Sequence, residues 1–454
     1  MIKFKDITFL ESMHYKLMME NSFYIETYGC TMNKADSRIM STLLKESNYS
    51  ETSIDDAEFI IVNTCGVKQQ TENKIKQRLE ELHAKYGESR SRHVIITGCL
   101  PHISKSYINI LKKIIPSFAA ILDLDNINEI TQILKKIKTG RGNLILFSQE
   151  SIDKSQFLID LPRGKLTGIL AISEGCEGNC TYCCVKNARK SLHAYNPETI
   201  VKNAKHQLNQ GAKQLFLTSQ DCSTYSYKNS NLADLIGKIH QIPIEFFLRM
   251  GMVNPKFLLN EFAQLNAIFS LAKVYKLLHV PIQSGSNRVL EKMNRHYKIE
   301  KVREKVRSLK EQFPVLSIST DIICGFPEES EEDFEATMDF IGWLKPDILN
   351  ISKFTVRPGT KAKKMKQVDS REIKERSIRL SKLFRSYLSD INLNWKGWEG
   401  KILILHEGSN ENQAFGRNFA YKNVFLDDYS GSYGSFIDVS IYDVDGFNLF
   451  AHQI

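Results

Sequence analysis

Short apolar runs alternate with amphipathic segments in the first part of the chain. FYIET, FIIVNT and HVIITG are rich in β-branched and aromatic residues, and helical spacing follows them, as at residues 36–46 and 71–85. This alternation predicts βαβ units on a parallel sheet. We therefore assign residues 23–145 to an N-terminal parallel α/β domain, preceded by an N-terminal extension at residues 1–22.

A second series of strands and helices follows a segment at 146–165, which we interpret as a linker because it combines turn residues with no sustained period. Six βα units predict a central partial (β/α)6 barrel over residues 166–394, whose working face is the carboxyl end of its strands. Its last element is predicted as one long amphipathic helix at 370–394. The candidate strands are 167–172, 214–218, 244–250, 276–280, 316–323 and 348–354.

The pattern changes again near the end of the chain. Short runs such as KILILHE, SFIDVSIYDV and NLFAHQI alternate with Gly, Asn and Asp. This is typical of a small antiparallel β-barrel, which we place at residues 395–454. The predicted fold class is α/β with a small all-β domain at the end.

Composition excludes several classes of protein. With 454 residues, 42% hydrophobic and 25% charged, the chain is neither disordered nor collagen-like. No apolar run approaches the ~20 residues of a membrane span, and the opening segment lacks the features of a signal peptide. We expect a cytoplasmic protein without membrane contact. The net charge of +9 is compatible with a polyanionic partner but does not identify one.

Three cysteines follow the ends of the first predicted strands. Cys30, Cys65 and Cys99 occur in ETYGC, VNTCG and ITGCL. Because parallel strands end at one edge of a sheet, where open α/β folds bind ligands, we expect these residues to converge. The alternative is three unrelated buried thiols.

A second cysteine triplet forms the strongest local signal. Cys176, Cys180 and Cys183 have C-x3-C-x2-C spacing in EGCEGNCTYCC, directly after the first strand of the second series. Three thiolates cannot complete a tetrahedral zinc site without a fourth ligand. They suit a [4Fe-4S] cluster with one iron free of protein ligands. In the alternative, a histidine such as His193 completes a zinc site.

These motifs resemble those of the radical S-adenosylmethionine (SAM) superfamily. With the upstream cysteines and the β-barrel tail, the chain from Phe23 onward resembles a methylthiotransferase. TSQD and GRNFAYKNV are closest to the archaeal and eukaryotic branch, which acts on N6-threonylcarbamoyladenosine in tRNA. Further matching motifs are RMGMVNP, HVPIQSGS, TDIICGFPEE and RPGTKAKKM.

The resemblance implies two [4Fe-4S] clusters and SAM as cofactors. The cluster on Cys176, Cys180 and Cys183 would bind SAM and cleave it to a radical, while that on Cys30, Cys65 and Cys99 would carry the transferred sulfur. We expect both triplets to be catalytic. An electron donor and a sulfur donor are implied as partners. By motif position, the candidate SAM-binding residues are Tyr182, Ser219, Gln220, Asp221, Gln283 and Asp321.

The implied reaction adds a methylthio group to C2 of the modified adenosine at tRNA position 37. Such a base must be unstacked, which is easiest in an anticodon stem-loop. The tail resembles an RNA-binding TRAM domain, but residues 391–454 have four basic residues against eight acidic ones. We therefore expect only a narrow RNA contact there. The candidate RNA-binding residues are Arg357, Lys361, Lys363, Lys364, Arg417 and Tyr421.

Two other readings remain open. The same chemistry could act on isopentenyladenosine in tRNA or on a ribosomal protein. Alternatively, the chain could be a noncatalytic RNA-binding protein whose cysteines hold structural metal. One departure from the family pattern is Lys190, where the family usually has glycine, and this puts the local backbone in doubt.

Overall fold

The computed structural model describes residues 20–104, 106–148 and 150–454, so most of the predicted extension at 1–22 lies outside the described residues. The chain forms two compact units. The first contains the described residues up to Asp160 together with Cys183–His193 and Arg357–Gly359. The second contains Leu161–Tyr182, Ala194–Val356 and Thr360–Ile454. Two short segments from later in the chain therefore belong to the first unit.

The first unit contains the predicted parallel sheet. Its central strand is fully buried on both faces, and helices cover each face. The strands in spatial order are Ser50–Glu51, Ser22–Thr27, Phe59–Thr64, His93–Gly98, Ala120–Leu122 and Leu144–Leu146. The α-helices are Thr31–Glu46, Gln69–Tyr86, Tyr107–Ile114, Ile130–Lys138 and Val185–Ala188, with 3-10 turns at Leu100–His102, Ile127–Glu129 and Lys154–Gln156.

The segment predicted as a linker carries more structure than expected. At the start of this segment, the strand Leu144–Leu146 pairs with the strand Ala120–Leu122. Within the segment, Lys154 is buried and forms an ion pair with Asp36 in the same unit. The segment was predicted to be a linker because it is polar and rich in turn residues. The buried ion pair produces no periodic pattern in the sequence that would have indicated its structure.

The second unit begins with the predicted six-stranded series. The strands form two parallel three-stranded sheets, which a single bridge between Leu248 and Val274 connects. This confirms the open (β/α)6 arrangement. The strands are Thr167–Ala171, Gln214–Thr218, Phe247–Arg249, Leu277–His279, Ser317–Cys324 and Ile348–Lys353, with short strands at Ser173–Glu174, His193–Ala194, Ser226–Tyr227 and Ser230–Asn231.

Helices cover the outside of these strands. The predicted long helix at 370–394 is two helices, Ser370–Ser386 and Leu388–Leu393. The break falls at Tyr387, which has a φ of −114° and packs its buried ring against Phe384. The other helices are Pro197–Asn209, Leu232–His240, Pro255–Asn260, Phe262–Ser270, Asn287–Lys292, Ile299–Gln312 and Glu331–Leu344, with 3-10 turns at Cys222–Thr224 and Lys361–Lys364.

The end of the chain forms a closed five-stranded barrel, as predicted. One pair departs from the antiparallel expectation, because Asn423–Leu426 runs parallel to Asn448–Gln453. The strands in spatial order are Glu399–Glu407, Ala414–Asn418, Asn423–Leu426, Asn448–Gln453 and Phe436–Asp445. No helix among the described residues is long and apolar enough to cross a membrane.

Candidate functional site

The first unit brings Cys30, Cys65 and Cys99 together at the carboxyl ends of adjacent strands. Asn33 Oδ1 lies 3.9 Å from the Cys30 sulfur and 3.7 Å from the Cys99 sulfur. Cys65 is within electrostatic reach of both thiols. None of the three is in a disulfide. The predicted convergence therefore holds, and these thiols are chemically suited to bind iron.

Hydrogen bonds fix the position of Asn33 between these thiols. It is fully buried, and its Nδ2 donates to the carbonyls of Tyr28 and Thr64, each at 2.8 Å. These bonds hold Asn33 Oδ1 toward Cys30 and Cys99. Sequence reasoning missed this residue, since its only signal is a polar side chain in the first turn of an amphipathic helix.

Two glycines let the strand ends approach each other closely. Gly29 has a φ of 102°, and a Cβ there would lie 2.6 Å from the Cβ of Cys65. Gly98 has a φ of 98°, and its Cβ would lie 2.3 Å from the Thr64 carbonyl oxygen. Any side chain at either position would push the cysteines apart, so both positions require glycine.

A buried network of charges lies beside these cysteines. Arg189 Nη2 donates to Asn33 Oδ1 at 3.0 Å and to Asp36 Oδ2 at 2.6 Å, while Lys154 donates to Asp36 Oδ1 at 3.1 Å. Burial raises the pKa of the Cys99 thiol to about 12, and the neighbouring Arg189 guanidinium acts in the opposite direction. Arg189 therefore places a fixed positive charge where anionic sulfur would need one.

Lys190, the departure from the family pattern, fits without strain. Lys190 is not one of the described residues that have a positive φ, so the backbone at this position does not require glycine. Its ammonium donates to the Ser148 carbonyl at 2.9 Å.

The second triplet lies on the loop after strand Thr167–Ala171. The backbone N–H of Gly178 donates to the Cys176 sulfur at 3.2 Å, and Arg295 Nη1 donates to the Cys180 sulfur at 3.5 Å. Cys183 is exposed and opens the segment that belongs to the first unit. Hydrogen bonds to sulfur stabilise thiolates, so the donor set fits a thiolate-held cluster.

The zinc alternative, in which His193 completes the second triplet, stays a prediction. Within the described ranges, no three His, Cys, Asp or Glu side chains are grouped closely enough to hold one metal ion.

Three candidate SAM residues follow strand Gln214–Thr218. Gln220 Oε1 accepts a hydrogen bond from Gly175 N at 2.7 Å, which holds the residue before Cys176. Asp221 is buried and accepts from the backbone N–H groups of Ser223 and Asn254. Burial raises the pKa of the Asp221 carboxyl, while these bonds act in the opposite direction. Ser219 donates to the Cys222 sulfur at 3.4 Å.

Two further candidates lie together on the other three-stranded sheet. Gln283 has a φ of 74°, and its N–H donates to the Asp321 carbonyl at 2.8 Å. The Asp321 carboxylate accepts from Asn350 at 2.7 Å and lies 3.2 Å from His279 Nε2. Tyr182, by contrast, packs edge-to-face on Phe326 in an apolar cluster. The SAM-binding role of all six residues stays a prediction.

The predicted RNA-binding residues differ in their exposure to solvent. The ammonium groups of Lys361, Lys363 and Lys364 are exposed on one short helical turn. Arg357 is buried in the first unit, where it pairs with Glu72 at 2.7 Å and donates to the Gly66 carbonyl at 2.6 Å. The structure therefore offers three lysines to a polyanion and keeps Arg357 inside.

Arg417 and Tyr421 lie where the β-barrel packs on the strands of its own unit. Tyr421 lies between Tyr275 and Phe216, at ring-centroid distances of 4.9 and 6.2 Å. Arg417 Nη1 donates to the Tyr421 carbonyl at 2.8 Å. Both residues are partly buried, and their contact with RNA stays a prediction.

Comparisons with known proteins agree with these features. The Radical SAM superfamily matches residues 170–341, and Uncharacterized protein family UPF0004 matches residues 22–121. A probable threonylcarbamoyladenosine tRNA methylthiotransferase of Pyrococcus horikoshii is 38% identical over 89% of this chain and 93% of its own. The human threonylcarbamoyladenosine tRNA methylthiotransferase is 30% identical over 92% of this chain and 72% of its own.

The fold also resembles a solved structure. The radical S-adenosylmethionine methyltransferase TsrM of Kitasatospora setae, with cobalamin and a [4Fe-4S] cluster bound, has a TM-score of 0.53. It is 12% identical, and the match covers 75% of this chain and 76% of that chain. At this identity the likeness concerns the fold alone.

The buried charge network gives a stability prediction. Asp36→Asn keeps the shape of the side chain but removes the buried carboxylate that both Arg189 and Lys154 contact. We expect a loss of about 3–5 kcal/mol of unfolding free energy, as for other broken buried ion pairs. Urea unfolding of the full chain measures this loss. Asp55→Asn, which breaks an exposed pair with Lys85, is the matched control and should change stability little. Equal stability of both variants would contradict a structural role for Asp36.

Proposed function

This chain belongs to the family of threonylcarbamoyladenosine tRNA methylthiotransferases, and from that membership we propose how its residues divide the reaction. It is a transferase with a radical SAM domain. The observation that carries the proposal is the presence of two separate cysteine triplets, each following parallel strands of an α/β unit. The proposed reaction adds a methylthio group to C2 of N6-threonylcarbamoyladenosine at tRNA position 37.

We assign Cys176, Cys180 and Cys183 to the cluster that binds SAM. When bound, this cluster and SAM would supply the radical chemistry that activates C2 of the adenine. The protein's own part is to hold and orient the reactants. Arg295 donates to the Cys180 sulfur, and Gln220 fixes Gly175 beside Cys176. Ser219, Asp221, Gln283 and Asp321 supply polar groups at strand ends where SAM would lie.

We assign Cys30, Cys65 and Cys99 to a second [4Fe-4S] cluster that carries the sulfur to be transferred. Arg189 and Asn33 support this role, because they hold a positive charge and an oriented amide beside the thiols. The reaction consumes electrons and sulfur, so an electron donor and a sulfur donor are required partners. We place the reaction in the cytoplasm.

The division of labour between the triplets is testable. Replacing Cys176, Cys180 and Cys183 by Ala should abolish SAM cleavage, since no cluster would bind SAM. Replacing Cys30, Cys65 and Cys99 by Ala should spare SAM cleavage and stop methylthio transfer. The measurements are 5′-deoxyadenosine release and iron content after anaerobic reconstitution.

The control for these variants is Cys324→Ala, which removes a buried thiol outside both triplets. It should retain the iron content and both activities of the unmodified protein. Normal methylthio transfer by the Cys30, Cys65 and Cys99 variant would refute the assignment. Colourless protein with bound zinc would support the noncatalytic alternative instead.

The exposed lysines are the proposed contact for the tRNA backbone. The backbone N–H of Ala362, which lies among them, donates to the Thr181 carbonyl at 2.9 Å, so the lysines are attached to the loop that carries Cys180. None of their ammonium groups has an ion-pair partner in the part of the chain that the structure describes. The lysine segment is residues 361–366, and its members are Lys361, Lys363, Lys364 and Lys366.

Charge reversal of the lysine segment tests this contact. Changing its four lysines to Glu should weaken tRNA binding and flatten its salt dependence, because each phosphate contact adds about 0.7–0.9 to the slope of log K against log salt. Filter binding at several salt concentrations gives both quantities. Reversal of Lys202 and Lys205, which are exposed on helix Pro197–Asn209, is the control. An unchanged slope in the first variant places the footprint elsewhere.

The N6 group decides between the substrate readings. Threonylcarbamoyladenosine presents a carboxylate and a hydroxyl, whereas isopentenyladenosine presents only hydrocarbon. A pocket built for polar groups rejects an analogue that lacks them by about 10⁴-fold or more. We expect reconstituted protein to methylthiolate an anticodon stem-loop with the threonylcarbamoyl group and to leave the isopentenyl one unmodified. Mass spectrometry of the nucleosides measures this. The opposite preference, or modification of a ribosomal protein instead, would favour the alternatives.

A further inference from the structure

Two arginines meet on one tyrosine inside the second unit. Arg249 is the last residue of strand Phe247–Arg249, and Arg417 lies in the barrel strand Ala414–Asn418. The Arg417 guanidinium carbon lies 3.9 Å from the centre of the Tyr421 ring, and that of Arg249 lies 5.0 Å from it. Two positive charges thus share one aromatic ring.

In the part of the chain that the structure describes, no carboxylate pairs with either arginine. Among the described residues, neither Arg249 nor Arg417 forms an ion pair, and Arg249 Nε is buried without a hydrogen-bond partner. Half-buried charges without a counter-ion are costly, so the pair favours an anionic ligand. Other buried arginines of this protein do have carboxylates, in the pairs Arg189 with Asp36, Arg357 with Glu72 and Arg376 with Glu329.

The surroundings hold this pair in a fixed geometry. Tyr421 has a φ of 64°, in the left-handed region, and the Asn418 side chain fixes this turn by accepting from the N–H groups of Ala420 and Lys422. Phe216 packs against both Arg249 and Tyr421. A strained non-glycine turn held by several bonds is typical of a functional position.

The position of the pair connects it to the reaction. Phe216 is the register partner of Arg249 on the adjacent strand, and Ser219 follows Phe216 three residues later in the chain. The barrel supports Tyr421 from the opposite ends of the strands, where Lys422 pairs with Asp347 and Phe419 accepts from Lys276 N. Arg249 therefore lies on the strand adjacent to the one that ends just before Ser219, Gln220 and Asp221.

We propose that Arg249 and Arg417 bind the carboxylate of the N6-threonylcarbamoyl group of the substrate adenosine. Guanidinium groups match a planar carboxylate with paired hydrogen bonds. Phe216, Tyr275 and Tyr421 pack around the pair and lower the local polarity, which strengthens that interaction. The pair thereby selects the acid side chain over an apolar one. This inference rests on the proposed function, since it names how that substrate is recognised.

The experiment compares two anticodon stem-loops that differ only at this carboxylate. One carries the threonylcarbamoyl acid and the other its carboxamide. Their dissociation constants and methylthiolation rates are measured with the reconstituted protein. We expect the acid to bind about 10- to 100-fold more tightly, as for hydrogen bonds to a charged group. Arg249→Gln and Arg417→Gln should each reduce this preference toward 1, because binding of the acid weakens more than binding of the carboxamide.

Arg307→Gln, an exposed position on helix Ile299–Gln312, is the control and should keep the full preference. Thermal unfolding identifies a variant that fails to fold. In that case the unmodified protein still decides, because equal affinity for acid and carboxamide overturns the inference. If the protein modifies the threonylcarbamoyl stem-loop but both folded Gln variants keep the preference, the inference alone is wrong. If it modifies only the isopentenyl stem-loop, the proposed function itself is wrong.

Discussion

The ion pairs of the Asp36 carboxylate hold together the edge of the first unit where Cys30, Cys65 and Cys99 lie. This carboxylate is buried and accepts from two buried cations, Arg189 and Lys154. Without it, both buried cations would lose this counter-ion in a low-dielectric interior. With it, Arg189 is held against Asn33, and Asn33 is held against two of the three cysteines. A single carboxylate thereby joins three distant parts of the sequence at one place.

The convergence of the cysteines was predictable because it follows from strand direction alone. In a parallel sheet every strand ends at the same edge, so Cys30, Cys65 and Cys99 had to meet once their strands were recognised. The open βα series and the closed barrel were equally visible, since period and turn residues specify them. The second triplet, Cys176, Cys180 and Cys183, could be recognised from its short spacing in the sequence without knowledge of the fold.

The supporting residues were not predictable, for a physical reason. Asn33, Arg189 and Arg295 act through tertiary contacts that leave no period and no spacing in the chain. The burial of single polar residues is equally invisible in the sequence. Arg357 looks like part of a basic surface, yet it lies inside against Glu72. Tyr421 looks like an exposed turn residue, yet it fills the space between the barrel and the strands.

The composition of the first unit restricts how such a protein can be rearranged by recombination. Cys183–His193 and Arg357–Gly359 belong to this unit although they are encoded far downstream of its sheet. A gene fragment covering only the sheet would encode Asp36 without Arg189, and Glu72 without Arg357. The unit is therefore not an exchangeable cassette. A recombined gene that kept this unit would also need two short stretches that are encoded within the neighbouring unit. We therefore expect the two units to be inherited together.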